Sequence, residues 1–408
     1  MEYGLRLKHV VATLLVVSTL LIATATSLLI TSYDPSSKVI IINPAGKSVS
    51  ALAQINEPII ITSNLDFALF GATGVGTRSE PYKFENLQVI ENGSCIQIQD
   101  TTAYFVISNC SLESSNDDPV ILFQNVENGR VEECETKGGS SGVELYQSVD
   151  CTVEDNILYD CYNGVSLLSS ANNTVLGNRI HGNHKGIFFD QTNHCLIISN
   201  SIYSNFRYGI QIPFNSHNNT IYGNRIGWND ISGIALENAF DSGEDNAFDD
   251  GVSLGNFWSD FNESEIYRIP GNAASIDQFA QLLEDRVAPG VIPLDDVAID
   301  VEAVGSILIW SVYDQFPEYY IISENDMQVV MDLWESDVIS YELDHLDIGT
   351  YTILLTLYDA PGNVASDTVI VEVISRILGG IGTELVMIAS GITVASFVIV
   401  VYLIKRLS

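Results

Sequence analysis

Thr174-Val175-Leu176-Gly177-Asn178-Arg179-Ile180-His181-Gly182-Asn183-His184-Lys185-Gly186-Ile187-Phe188-Phe189 is the stretch whose reading decides the fold. Its core spelling, Val175-x-x-Asn178-x-Ile180, returns 22 residues upstream as Val153-x-x-Asn156-x-Leu158 and 22 residues downstream as Ile197-x-x-Asn200-x-Ile202. A fixed period of this size marks a solenoid, in which each repeat buries its apolar face only against its neighbours. Followed outward, one apolar column reads Ile107, Val131, Val153, Val175, Ile197, Ile221, and a second, five residues on, reads Leu112, Thr136, Leu158, Ile180, Ile202, Ile226. Between them stand Cys110, Cys134, Asn156, Asn178, Asn200 and Asn224. Asn at a tight corner is expected because it tolerates unusual backbone angles and its amides can bond up and down a stack.

A third family of positions, Cys95, Pro119, Gly142, Gly164, Gly186, Gly209 and Gly233, precedes alternating apolar pairs: Ile96/Ile98, Val120/Leu122, Val143/Leu145, Val165/Leu167, Ile187/Phe189, Ile210/Ile212 and Ile234/Leu236. Alternation of this kind is a strand with one buried face. Leucine-rich repeats share the period but need an apolar residue two before the Val175 position. Here that column reads Gly129, Cys151, Asn173, Cys195, Asn219. Short strands without a helix in each repeat favour a parallel β-helix.

Composition narrows the partners. The 408 residues hold 17 Lys plus Arg against 52 Asp plus Glu, a formal charge of -35 that repels nucleic-acid phosphates and excludes DNA or RNA as partner. Two uncharged runs, Val10 to Ile30 and Leu385 to Ile404, are each long enough to cross a bilayer as a helix. Arg6, Lys8 and His9 precede the first, and Lys405 and Arg406 follow the second. The positive-inside rule then puts both termini in the cytoplasm and the body, from about Thr31 to Gly380, outside an integral membrane protein. Ala23-Thr24-Ala25 keeps a cleaved signal peptide open as the other reading of the first run.

Glu57-Pro58-Ile59-Ile60-Ile61, Asp66-Phe67, the Gly-rich Gly71 to Thr77, Pro81-Tyr82 and Glu85-Asn86-Leu87 resemble the opening of archaeal surface proteins with NosD-like right-handed β-helix repeats. Asp249-Asp250-Gly251 and Gly255-Asn256-Phe257-Trp258-Ser259-Asp260-Phe261 are similar to the end of the same module. The resemblance covers roughly residues 55 to 290 and implies an architecture; the link of NosD to copper-site maturation is not carried over.

Past Pro289, Gly290 and Pro293 the period stops, and alternating strands lead to Gly349 to Asp359, a turn at Pro361-Gly362-Asn363, and Asp367 to Val373. This resembles the last hairpin of an immunoglobulin-like sandwich, read as a spacer between β-helix and membrane. The expected fold is therefore all-β: a right-handed parallel β-helix plus a small immunoglobulin-like β-sandwich, flanked by two transmembrane helices. Its segments are a basic stub and membrane helix or signal peptide (1–31), N-terminal strands and a cap (32–85), the β-helix (86–288), the sandwich (289–375), and a second membrane helix with a basic tail (376–408).

Catalytic residues are not assigned. A lyase of this fold needs clustered basic residues, and a glycosidase two facing carboxylates. Arg179 and Arg225 share a column but stand two rungs apart, and Asp249-Asp250-Gly251 lacks the companion motifs of polygalacturonase-like enzymes. A lyase or hydrolase, a cell-envelope scaffold and a metal-handling protein are the alternatives to glycan binding. His181, His184, His194 and His217 occupy different columns, without metal-ligand spacing. No cofactor is expected; calcium is the one ion that the acidic stretch with Asp245, Asp249 and Asp250 would take, a solvated acidic cap being the plainer reading.

Cys110 and Cys134 share a column on adjacent rungs and are paired as a disulfide, with a pair of small buried thiols as the alternative. Asn92, Asn109, Asn172, Asn218 and Asn262 open N-x-S/T sequons. The sharpest expectation is a stripe of rings. Tyr159, His181 and Tyr203 follow the second apolar column, and Tyr162, His184 and Phe206 come three residues later. Stacked about 4.8 Å apart, these rings form a platform for a neutral sugar chain of a polysaccharide or glycoprotein, with Asn183 and Asn205 near its hydroxyls. The competing reading packs the rings under a loop or the sandwich.

Overall fold

The computed structural model describes residues 53–55, 57–229, 238–262 and 265–375. Ile234, Leu236 and both apolar terminal runs lie outside them. The body is a right-handed parallel β-helix with three faces, made among the described residues of sheets of ten, eight and seven strands. One coil shows the plan: Thr152–Glu154 on the seven-stranded face, Ile157–Tyr159 on the ten-stranded face, then Asn163–Leu168 on the eight-stranded face. Parallel register stacks Val153 on Val175 on Ile197, Leu158 on Ile180 on Ile202, and Val165 on Ile187 on Ile210. These side chains are fully buried and form one continuous core, which supplies most of the favourable energy of each coil.

The first coil starts earlier than the repeat spelling indicates. Ala53–Ile55, Ile59–Ile61 and Tyr82–Glu85 pair in parallel with Leu87–Glu91, Ile96–Thr101 and Phe105–Ser108, so strands expected in the 32–85 cap are themselves a coil. Between two of them the short helix Asp66–Leu69 turns Phe67 into the core, stacked on Tyr82 at 4.5 Å.

Every corner is stitched by side chains that bond to the next coil. Between the seven- and ten-stranded faces, Asn156, Asn178, Asn200 and Asn224 each donate from Nδ2 to the Oδ1 of the next member at 2.9 Å, ending on Asn256. A second ladder, Asn183, Asn205, Asn229, Asn238, runs between the ten- and eight-stranded faces at 2.9 to 3.1 Å. A third, at the remaining corner, links Asn219 to Asn246 at 3.0 Å, with Cys195 and Asn173 in the coils before. Each ends on a carboxylate: Asn256 donates to Asp277, Asn238 to Asp260 and Asn246 to Asp241.

Three expectations are corrected. In the coil after Pro119 the pair in register with Ile96 and Ile98 and with Val143 and Leu145 is Ile121 and Phe123; Val120 is buried beside them and Leu122 is only half-buried. A continuous apolar run, Val120 to Phe123, satisfies either phase of a period-2 pattern, so the turn length decides. The Cys110 to Cys134 disulfide is absent. All six cysteines are free and buried, and each of these two thiols bonds the carbonyl two residues back, Ser108 and Glu132, at 3.2 Å. The two thiols meet side chain to side chain, which holds the Cys110 thiol below its ordinary range and pushes the Cys134 thiol above it. Third, the two flanking transmembrane helices are not part of the fold seen: among the described residues no helix is long and apolar enough to cross a membrane, and the two candidate runs lie beyond them.

From Gly290 the chain builds a two-sheet sandwich. Gly290–Val291, Ile307–Tyr313 and Val338–Glu342 form one layer. Val297–Asp300, Val364–Ile374, Gly349–Asp359, Pro317–Glu324 and Met327–Leu333 form the other. Trp310, Trp334, Leu355 and Val371 fill the space between them, with Trp310 Nε1 donating to Asp367 at 2.8 Å. The sandwich is not held away as a spacer. It folds back onto the ten-stranded face, where Phe316 meets Tyr203 edge-on at 5.4 Å, Leu333 lies over Gly182, and Arg179 Nη2 donates to the Glu335 carbonyl at 2.6 Å.

Candidate functional site

The two ring columns have different fates. Tyr159, His181 and Tyr203 stack at 5.9 and 5.1 Å as their register requires, but they are 3, 1 and 0% exposed. They face outward from the middle of the ten-stranded sheet, where the sandwich sits. Tyr162, His184 and Phe206 stand at the next corner, beyond its edge. They stack at 4.6 and 5.6 Å, with Tyr162 53% and Phe206 49% exposed. The expected six-ring surface is thus three rings, and the inner three serve the contact with the sandwich.

Asn183 and Asn205 do not offer their amides to a sugar. Both are buried, and each Nδ2 is spent on carbonyls of its own and the preceding coil and on the ladder.

Beside Phe206 the chain forms a cavity of about 470 Å³, floored by His181 and Ser204 of the β-helix and walled by Glu318, Tyr319 and Leu333 of the sandwich. Burial against the β-helix pushes the Glu318 carboxyl up to about 7 despite the nearby Ser204 hydroxyl, and Glu335 up to about 7 beside Tyr159. The Tyr159 hydroxyl donates to Glu135 at 2.6 Å. Burial, with the Arg179 charge adding to it, pushes His181 down to about 3, so its imidazole is neutral; its Nε2 has no hydrogen-bond partner. On the other side of the exposed rings lie two cations. Lys185 Nζ sits 5.4 Å from the Tyr162 ring and 4.3 Å from Phe188, and the Arg207 guanidinium 5.4 Å from Tyr208. Sequence reasoning missed Glu318 and Glu335, because no repeat links the sandwich to the coil it covers. The signal that existed was the run of large rings at an outward position, which a cover explains as well as a ligand does.

The remaining candidates do not converge. Asp249 accepts from the Gly251 and Gln278 N–H groups, and Asp250 from Val252, Ser253 and Leu254, bonds that hold its carboxyl below the usual range. Asp245 takes a left-handed turn conformation. Among the described residues, the His, Cys, Asp and Glu side chains that approach closely enough to share an ion are Asp285, Asp314 and Asp359, a different set. The sequon residues Asn92, Asn109, Asn172, Asn218 and Asn262 are all exposed, unlike the ladder asparagines.

Fold and corners define a parallel β-helix of stacked, Asn-stitched coils. The family of periplasmic copper-binding proteins (NosD) matches residues 60–263, half of the chain, and the chain belongs to that family. No curated protein matches. Among solved structures it is similar to the enzymatically active domain of tailspike protein 2 of bacteriophage CBA120, at 9% identity and a TM-score of 0.37, over 78% of this chain and 71% of that one. The described residues that come together do not fit copper. The thiols are buried on backbone carbonyls, the rings of His181 and His184 are each sandwiched between two other rings, and Met327 and Met331 lie four residues apart on one strand, roughly 13 Å. The cluster found among the described residues offers hard carboxylate oxygens, whereas copper favours imidazole and sulfur.

Proposed function

We propose that this NosD-family protein works outside the cytoplasm as a glycan-binding β-helix, with Tyr162, His184 and Phe206 as the platform on which sugar rings lie. The family's description as periplasmic supports the compartment. The observation that carries the binding role is the exposure of Tyr162 and Phe206 in a column of stacked rings whose last member, Phe206, lines a cavity with a carboxylate wall. Ring faces take the C–H surface of a pyranose, and polar groups at the rim set its orientation. Nothing in this reading requires bond cleavage, and no residue is assigned a catalytic role. The test is a glycan array probed with the full chain and with Tyr162→Ala/Phe206→Ala. Two lost stacking contacts of about 1 kcal/mol each predict roughly a 30-fold loss of affinity with an unchanged β-sheet circular dichroism spectrum. Equal binding by parent and variant leaves the rings with an architectural role and sinks the proposal.

A further inference from the structure

We propose that the ligand of this face is an acidic saccharide, its carboxylate or sulfate held by Lys185 and Arg207 while its sugar rings lie on Tyr162, His184 and Phe206. The inference rests on the glycan-binding reading and gives it a substrate class.

The distribution of positive charge carries it. In a chain with 52 acidic and 17 basic residues, the Lys and Arg side chains between 86 and 229 are Arg130, Lys137, Arg179, Lys185, Arg207 and Arg225. Arg130 lies on the seven-stranded face, paired with Glu132 and Glu154, and the other five lie on the ten-stranded face or at the corner beside it: Lys137, Arg179 and Arg225 in its strands, Lys185 opening Lys185–Asp190, and Arg207 just before Tyr208–Ile212. Three stand away from the exposed rings: Lys137 lies against the buried Tyr159, Arg179 bonds the Glu335 carbonyl, and Arg225 lies over Phe257. Lys185 and Arg207 are the two beside the exposed rings, on adjacent coils, and neither makes an ion pair among the described residues.

Their proximity comes from an insertion. From Asn183 the chain reaches the strand through His184 and Lys185. From Asn205 it passes Phe206 and Arg207 before Tyr208, which pairs with Lys185. Phe206 thus keeps its place on His184 and Arg207 is the added residue. Both cations lie against ring faces, which limits the freedom a ligand must remove. Burial and the neighbouring Arg207 charge hold the Lys185 ammonium below its ordinary range, a repulsion that a bound anion relieves. Across the rings, Glu318 and Asp332 line the cavity wall, so an acidic ligand is steered with its charge toward the corner and away from the sandwich. A neutral sugar, which the rings alone predict, makes no use of the charge of these two cations.

The test uses the full chain and two probe pairs matched in backbone and differing in charge: an oligogalacturonide against its methyl ester, and dextran sulfate against dextran, titrated calorimetrically at low and moderate salt. At least one acidic probe is expected to bind about tenfold or more tightly than its neutral counterpart, with the difference shrinking as salt rises. Lys185→Gln/Arg207→Gln is expected to remove the difference. Equal binding within both pairs by the parent chain overturns the proposal, as does a preference that survives the double substitution. The parent chain decides alone if a variant misfolds. Equal binding within pairs that is lost in Tyr162→Ala/Phe206→Ala overturns the acidic ligand and leaves the platform standing. A preference for acidic probes that is untouched by the ring substitutions overturns both.

Discussion

A corner asparagine in this protein is bound on every polar atom. Asn200 donates from Nδ2 to the Val175 and Ile198 carbonyls and to Asn224, and its Oδ1 accepts both the backbone and side-chain N–H of Asn178. Asn200→Leu strands those partners in the core, and a loss of about 3 kcal/mol or more is expected in urea unfolding. Cys195 predicts the opposite sign. It stands in the Asn173 and Asn219 ladder, where its sulfur receives the Asn173 N–H groups that an amide oxygen would accept better, and burial keeps it a thiol by pushing it up to about 12. Cys195→Asn completes the ladder with donors to Ser170 and Asn219, and should raise stability by about 1 kcal/mol. The Asn156 to Asn224 ladder was legible because it is spelled with one letter. The other two were not: Cys151 and Cys195 interrupt one, and the other ends on a step of only nine residues, from Asn229 to Asn238, that breaks the period.

At the scale of coils, a 22-residue period predicts which strands stack, and the registers of the Val153 and Leu158 columns follow it. It fails where a coil changes length, as at Ile121, because nothing in an unbroken apolar run marks the inward phase. The period also says nothing of how a stack stops. Here Asp277, buried, accepts from Asn256, from the Asn256 backbone and from Trp258 Nε1 at 2.9 Å. Asp277→Ala leaves the indole and the backbone N–H unpaired, and should cost about 3 kcal/mol or more, read as a lower urea midpoint at unchanged slope.

For the whole molecule, the docking of sandwich on β-helix was not legible, because contacts between domains leave no periodic trace. It buries carboxylates, and that sets a pH dependence. Asp314 is pushed up to about 6 by burial and by Asp359 and Asp285; Glu318 and Glu335 are pushed up to about 7 by burial. A carboxyl raised on folding contributes stability that is full below its unfolded value, near 4, and is lost as pH rises through its folded one. His181, held down to about 3, acts the other way, costing stability as pH falls below about 6.5. Three carboxyls against one imidazole predict a docked state that weakens between about pH 5 and pH 8. Proteolysis of the linker near Pro289, or thermal unfolding followed across that range, should show it; a flat profile contradicts the burial of these groups.

The ladders also have a direction. Each side-chain amide hands its hydrogen to the following coil, and the last recipient in each of the three is a carboxylate, which has none to pass on. An open solenoid end is otherwise a template on which a second molecule can add coils of its own, the first step of a filament. Three acceptors without a hydrogen, on a molecule of formal charge -35, give an incoming end neither a ladder to continue nor a charge to approach. Asp241, Asp260 and Asp277 thus close the three ladders with an end that offers a second copy no hydrogen with which to continue them.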